Sequence, residues 1–152
     1  QYDFNTTRVP DGYYVLLAKA VDSNGNEDWN GPVPFSIRNW ATLKLLPATE
    51  SNKAGRTMPV KFALRIVPAV DPSQPFVYNE HLEIRIYNAT APDTILQKSI
   101  FGTGAGDYRI DNVNAKYITN FQTTKTPATY IVEVWRPTKN FMLGSFNFKT
   151  VK

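Results

Sequence analysis

The chain has 152 residues, of which 42% are hydrophobic, 13% aromatic and 20% charged, with a net charge of +4; this suits one complete domain, or a domain and a fragment, and excludes a disordered, self-repelling chain. There is no cysteine and a single histidine, His81, which removes disulfide frameworks, thiol chemistry and zinc ribbons and argues against Ser–His–Asp or multi-histidine catalysis. No apolar run approaches the roughly 18–20 residues that span a bilayer, and no basic-then-apolar leader opens the sequence, so no membrane span is expected.

The charge is uneven. Residues 1–38 hold three basic and five acidic groups, and the remainder holds 14 basic and eight acidic. Its basic residues alternate singly with apolar ones, as Lys61 and Arg65 do around Phe62 and Leu64. That is a solvated sheet face rather than the stripe of a nucleic-acid binder, and no nucleic-acid partner is expected.

In chain order, a first strand over Tyr13–Val21 is followed by an Asn24-Gly25 turn and a return strand over Val33–Arg38, with Val33, Phe35 and Ile37 on one face. An isolated hairpin is marginal in water because it covers one small face and leaves two edges open. Residues 1–38 therefore need a partner: a preceding domain whose tail they are, the second domain of this chain, or a neighbouring molecule to which they donate strands. From Asn39 onward, shorter strands are expected at Thr42–Leu46, Ile95–Phe101, Asp107–Ile110 and Lys116–Gln122. The strongest alternation lies in Met58–Ile66, His81–Tyr87, Tyr130–Trp135 and Ser145–Lys149. Breakers separate them: Pro68 to Pro75, Ala91-Pro92-Asp93, Gly102–Gly106, Thr126-Pro127 and Arg136-Pro137. No window shows helical spacing. The fold is all-β, an antiparallel sandwich over residues 39–152, with a closed barrel as the alternative.

Pro-Asp-Gly-x-Tyr at Pro10–Tyr14, followed by a strand with Ala-x-Asp and a Gly-Asn turn, resembles the last two strands of an immunoglobulin-like or fibronectin-III-like domain. The resemblance implies that Tyr14 bonds its hydroxyl back to the chain at the strand's entry. Ala54, Gly55, Pro59, Val60, Lys61 and Phe62, together with Phe121, Thr123 and Tyr130, resemble an immunoglobulin-like module of secreted and surface-attached microbial proteins, including secreted hydrolases; Ala128 stands where that pattern usually has Gly. It implies an extracellular or cell-surface location and specifies fold rather than activity.

Asp22 to Asp28 alternates oxygen ligands, but its Gly is early and Val33 stands where a calcium loop needs Glu, so a turn is expected. Gly102–Gly106 lacks the following helix of a phosphate cradle. His81 lies beside Glu80 and Glu83 with no second histidine, and reads as a surface strand-entry residue. Asn5 and Asn88 open sequons that would accept N-glycans in a eukaryotic secretory pathway. Trp29, Trp40 and Trp135 are candidates for a sugar-stacking platform; Trp135 is the ligand-facing candidate, and Trp40 a plug between hairpin and sandwich. No catalytic residue, metal ligand or cofactor is expected. The sequence reads as a non-catalytic extracellular structural, adhesion or assembly module whose partners are other domains of its parent or neighbouring copies of itself, through the N-terminal strands. The alternatives are a C-terminal accessory domain of a secreted hydrolase and a carbohydrate-binding module that takes polysaccharide.

Overall fold

The computed structural model describes residues 3–47, 52–66 and 81–152. The Pro68 to Pro75 breaker and Glu80 lie outside them. After a 3-10 turn at Thr6–Arg8 come β1 (Gly12–Val21), β2 (Glu27–Ile37), β3 (Trp40–Leu46), β4 (Asn52–Lys53), β5 (Thr57–Ile66), β6 (Glu83–Asn88), β7 (Ala91–Ser99), β8 (Arg109–Asp111), β9 (Lys116–Gln122), β10 (Thr129–Arg136) and β11 (Phe141–Val151). Among the described residues there is no α-helix.

Strands β3 to β11 form two sheets, ordered β3-β5-β9-β8 and β4-β11-β10-β6-β7. All pairings within them are antiparallel except the short parallel contact of β4 with β11. Period-two alternation sends one face of each strand inward. Val60, Phe62 and Leu64 of β5, Ile84 and Ile86 of β6, Tyr117 and Phe121 of β9, and Tyr130, Val132 and Val134 of β10 meet in one core with Leu143 and Phe148 of β11. Each side chain so buried contributes about 1.5–3 kcal/mol relative to exposure. The protein is an open all-β sandwich, as the alternation predicts.

The motif residues have physical work in this frame. Gly55 adopts a φ of 78°, a left-handed conformation that favours glycine, and its amide donates to the Thr124 carbonyl at 2.7 Å. The Thr123 hydroxyl accepts from the Arg56 amide at 3.1 Å and donates to the Arg56 carbonyl at 2.9 Å, closing the ends of β5 and β9. The buried Tyr130 hydroxyl accepts the Thr124 amide at 2.9 Å. A second polar lock joins the two sheets: the Gln97 amide reaches Ser99 at 2.9 Å and the Asn120 carbonyl at 2.9 Å, and buried Ser99 meets Thr119 at 3.1 Å.

Three expectations need correction. Ala91-Pro92-Asp93 is not a breaker but the start of β7, an edge strand where proline's missing N–H removes no ladder bond. Ile100 and Phe101 fall outside β7; Phe101 makes only an isolated bridge to Tyr108. The return strand of the hairpin begins at Glu27 rather than Val33 and runs through a register shift opposite Leu16 and Ala18.

Strands β1 and β2 join neither sheet; they form a two-stranded sheet of their own. The junction is held by Asp11, whose carboxylate accepts the amides of Asn39 at 2.7 Å and Trp40 at 3.1 Å. Asn39, itself buried, accepts the Thr6 hydroxyl at 2.9 Å and donates to the Thr6 carbonyl at 2.9 Å.

Candidate functional site

The outward face of β6, β7 and β10 gathers the densest set of charged and aromatic side chains. Alternation places Glu83, Arg85 and Tyr87 opposite to Ile84 and Ile86, and register sets Glu83 across from Trp135, Arg85 across from Glu133, and Arg85 across from Lys98. Arg85 donates through Nε to Glu83 Oε1 at 2.6 Å, and Lys98 Nζ lies 2.7 Å from Glu83 Oε2. The Arg85 guanidinium sits 4.3 Å from the Trp135 ring centroid, and Trp135 Nε1 donates to Glu133 Oε2 at 2.8 Å. Such cation–aromatic stacking strengthens as its members lose water.

Glu83 is the residue that departs from its sequence reading. It does face outward, yet it is only 5% exposed, because Trp135, Arg85 and Lys98 cover it. Burial works to raise its carboxyl, but the hydrogen bonds from Lys98 and Arg85 outweigh that and hold it below the usual carboxylate range. For Tyr87, burial and the neighbouring Glu133 carboxylate push the hydroxyl up, with Arg85 opposing. The cluster sets two carboxyl side chains, Glu83 and Glu133, against one guanidinium and one lysine amine. It holds the sheet's outer face together, and neither Glu83 nor Tyr87 is brought toward the neutral pH range where general acid–base groups act.

The three tryptophans lie on three different sheets. Trp29 is on β2 with Lys19 5.2 Å from its ring centroid; Trp135 is half-buried on β10; Trp40 is buried at the start of β3. Trp40 does plug the junction. It lines a cleft of about 560 Å³ between hairpin and sandwich with Asp11, Tyr13, Arg38 and Met142. Arg136 stacks 4.6 Å from its ring, and its indole N–H is buried without a hydrogen-bond partner.

The remaining candidates sit apart. His81 is exposed ahead of β6, and Glu83 turns to Arg85 and Lys98. Asp22 uses both carboxylate oxygens inside its turn: Oδ1 accepts the amides of Asn24 at 2.8 Å and Asn26 at 2.9 Å, and Oδ2 accepts the Asn26 side chain at 2.8 Å. The Asn26 side chain, then its amide, hold this carboxyl below the ordinary range. The Gly102–Gly106 loop is closed by Asp107, whose Oδ2 accepts the Gly104 amide at 2.9 Å, and leads to β8, not to a helix. Asn88 ends β6, its Oδ1 accepting the Thr90 amide at 3.1 Å and hydroxyl at 2.9 Å; Asn5 is exposed before the first 3-10 turn. Tyr14 donates to the Pro10 carbonyl at 2.6 Å, as its motif implies. Among the described residues no three carboxylate or imidazole groups cluster as metal ligands, and no helix is long and apolar enough to cross a membrane.

No protein-family model matches the chain, and no curated protein matches it. Among solved structures, a conjugative transposon lipoprotein from Bacteroides eggerthii DSM 20697 is similar at 13% identity over 74% of this chain and 98% of that chain, with a TM-score of 0.39. A likeness of that order carries no argument about function.

Proposed function

We propose that residues 39–152 are a non-catalytic, immunoglobulin-like module of a secreted or surface-attached protein, serving as a rigid element for assembly or adhesion with other domains of its parent. The strand order supports the fold subtype. β3-β5-β9-β8 faces β11-β10-β6-β7 as the ABED sheet faces the GFC sheet extended by one strand, and Tyr130 stands where the tyrosine corner stands, at the entry of β10, the F-strand equivalent. The observation that carries the functional reading is the saturated outer face. Glu83, Arg85, Lys98, Glu133 and Trp135 satisfy one another on a sheet surface, and Glu83 is held further from neutrality instead of being poised near it. The guanidinium occupies one face of the Trp135 ring, which confines any sugar stacking there to the other face.

Deleting residues 39–152 from the parent polypeptide should leave any turnover within about twofold while lowering severalfold the amount retained at the surface or in assemblies. A loss of turnover of roughly a hundredfold at unchanged retention would overturn the reading.

A further inference from the structure

The N-terminal hairpin repeats the geometry of the hairpin that closes the sandwich. In β10–β11, Tyr130 reaches back with its hydroxyl to Thr124 and stacks on its cross-strand partner Phe148, with ring centroids 5.0 Å apart at 28°. In β1–β2, Tyr14 reaches back to Pro10 and lies against its cross-strand partner Phe35, with centroids 5.9 Å apart at 30°. Two residues further on, Val132 pairs with Phe146 and Leu16 pairs with Val33.

The two hairpins differ in what covers the tyrosine face. Tyr130, Val132 and Val134 are fully buried by the opposing sheet, and β10 is hydrogen-bonded along its other edge by β6. On the N-terminal hairpin, Leu16 is 58% and Val33 55% exposed, and among the described residues the second edge of β1 has no strand beside it. A two-stranded face ten residues long offers about 330 Å², from a rise near 3.4 Å per residue and a strand spacing near 4.8 Å. That is far below the ~800 Å² per partner of a stable interface, so hairpin-to-hairpin contact between two copies does not suffice. A sandwich core of the same polypeptide seated on the face, with a strand added along β1, covers it without the cost of bimolecular association and supplies the missing hydrogen bonds.

We infer that β1–β2 is the closing hairpin of a second β-sandwich, whose remaining strands come from residues that precede this chain in the same polypeptide and seat their apolar inner face on Tyr14, Leu16, Val33 and Phe35. The inference concerns residues 12–37 and is independent of the reading of residues 39–152.

The test uses the natural polypeptide and compares it with the 152-residue chain by amide hydrogen exchange. Protection at residues 14–18 should rise by about a hundredfold or more in the longer protein. Leu16→Asp should abolish that gain and Leu16→Ala reduce it, while Val15→Asp, equally exposed here at 57% but on the opposite face, leaves it within about threefold. Unchanged exchange at β10 amides shows in each variant that the C-terminal sandwich has folded. Equal protection in the two lengths, equal effects of the two aspartates, or a reading frame with no folded residues ahead of Gln1 would each overturn the inference.

Discussion

Removing one hydroxyl from each tyrosine distinguishes a closed core from an open one. Tyr130→Phe keeps the ring, which remains stacked on Phe148 and edge-on to Phe121 at 5.0 Å, and deletes only the oxygen that accepts the Thr124 amide and meets the Thr124 hydroxyl at 2.7 Å. The lost bond is worth about 1 kcal/mol net, and the amide left facing a fully buried ring adds up to about 1–2 kcal/mol if water does not reach it. The sum, roughly 1.5–2.5 kcal/mol, should lower the Tm of the sandwich by about 5–10 °C with the slope of urea unfolding unchanged. Tyr14→Phe in the same chain deletes a bond that is open to solvent. Water replaces the hydroxyl at the Pro10 carbonyl, and the expected cost is under about 0.5 kcal/mol. Urea unfolding followed by tyrosine and tryptophan fluorescence measures both. A Tyr130→Phe cost below about 0.5 kcal/mol, or equal costs at the two positions, would refute the argument that the Tyr130 bond fastens the loop between β9 and β10.

Glu83→Gln probes the outer face. Because the folded carboxyl lies below its ordinary value of 4.5, its stabilisation is fully present above that pH and is lost as pH falls through the folded value. The native chain should therefore lose stability as pH falls below about 4.5 while the variant's curve is flatter there, and parallel curves would reject the pairing with Arg85 and Lys98. Gly144→Ala probes the approach of β11 to β3: a Cβ there would lie 2.8 Å from Thr42 Oγ1 and 2.9 Å from Thr42 Cγ2. It should cost about 1–3 kcal/mol, and Thr42→Ala should recover more than half of it in a double-mutant cycle. Strict additivity would show that the contact relaxes elsewhere.

Legibility in the sequence tracked how local each determinant is. Met58–Ile66, His81–Tyr87 and Tyr130–Trp135 alternate cleanly, so their inward residues follow from spacing alone, and Val60, Phe62, Ile84, Ile86 and Val132 are buried accordingly. β4 is only two residues, and its parallel contact with Thr150 and Val151 leaves no pattern to read. In β2 the alternation is interrupted by Asn30, Gly31 and Pro32, where the register shifts, and the strand's first half is hidden by them. The outer-face cluster was legible only in part. That Glu83, Arg85, Glu133 and Trp135 face outward follows from period two; that Arg85 stacks on Trp135 and that Lys98 meets Glu83 depends on which strands are neighbours, a matter of register between distant segments.

The way the sandwich treats its edges points to where association belongs. An exposed strand edge invites pairing with another chain, and proteins blunt it with short strands, prolines, charges and irregular register. All of these occur in residues 39–152: β4 has two residues and β8 three, β7 opens with Pro92 and Asp93 and breaks register against β6, and on β3 Lys44 reaches across to the Asn147 carbonyl at 3.1 Å. The hairpin carries Pro32, Pro34 and a register shift opposite Leu16 and Ala18, yet it remains long and apolar. Its strands are ten and eleven residues long, and Val15, Leu16, Leu17, Val21 and Val33 are all more than half exposed. Burial of this aliphatic surface would be favourable, and it lies on strands whose outer backbone edges are unpaired among the described residues. The described edges of the sandwich are thus short or irregular, whereas the hairpin leaves most of its aliphatic surface exposed.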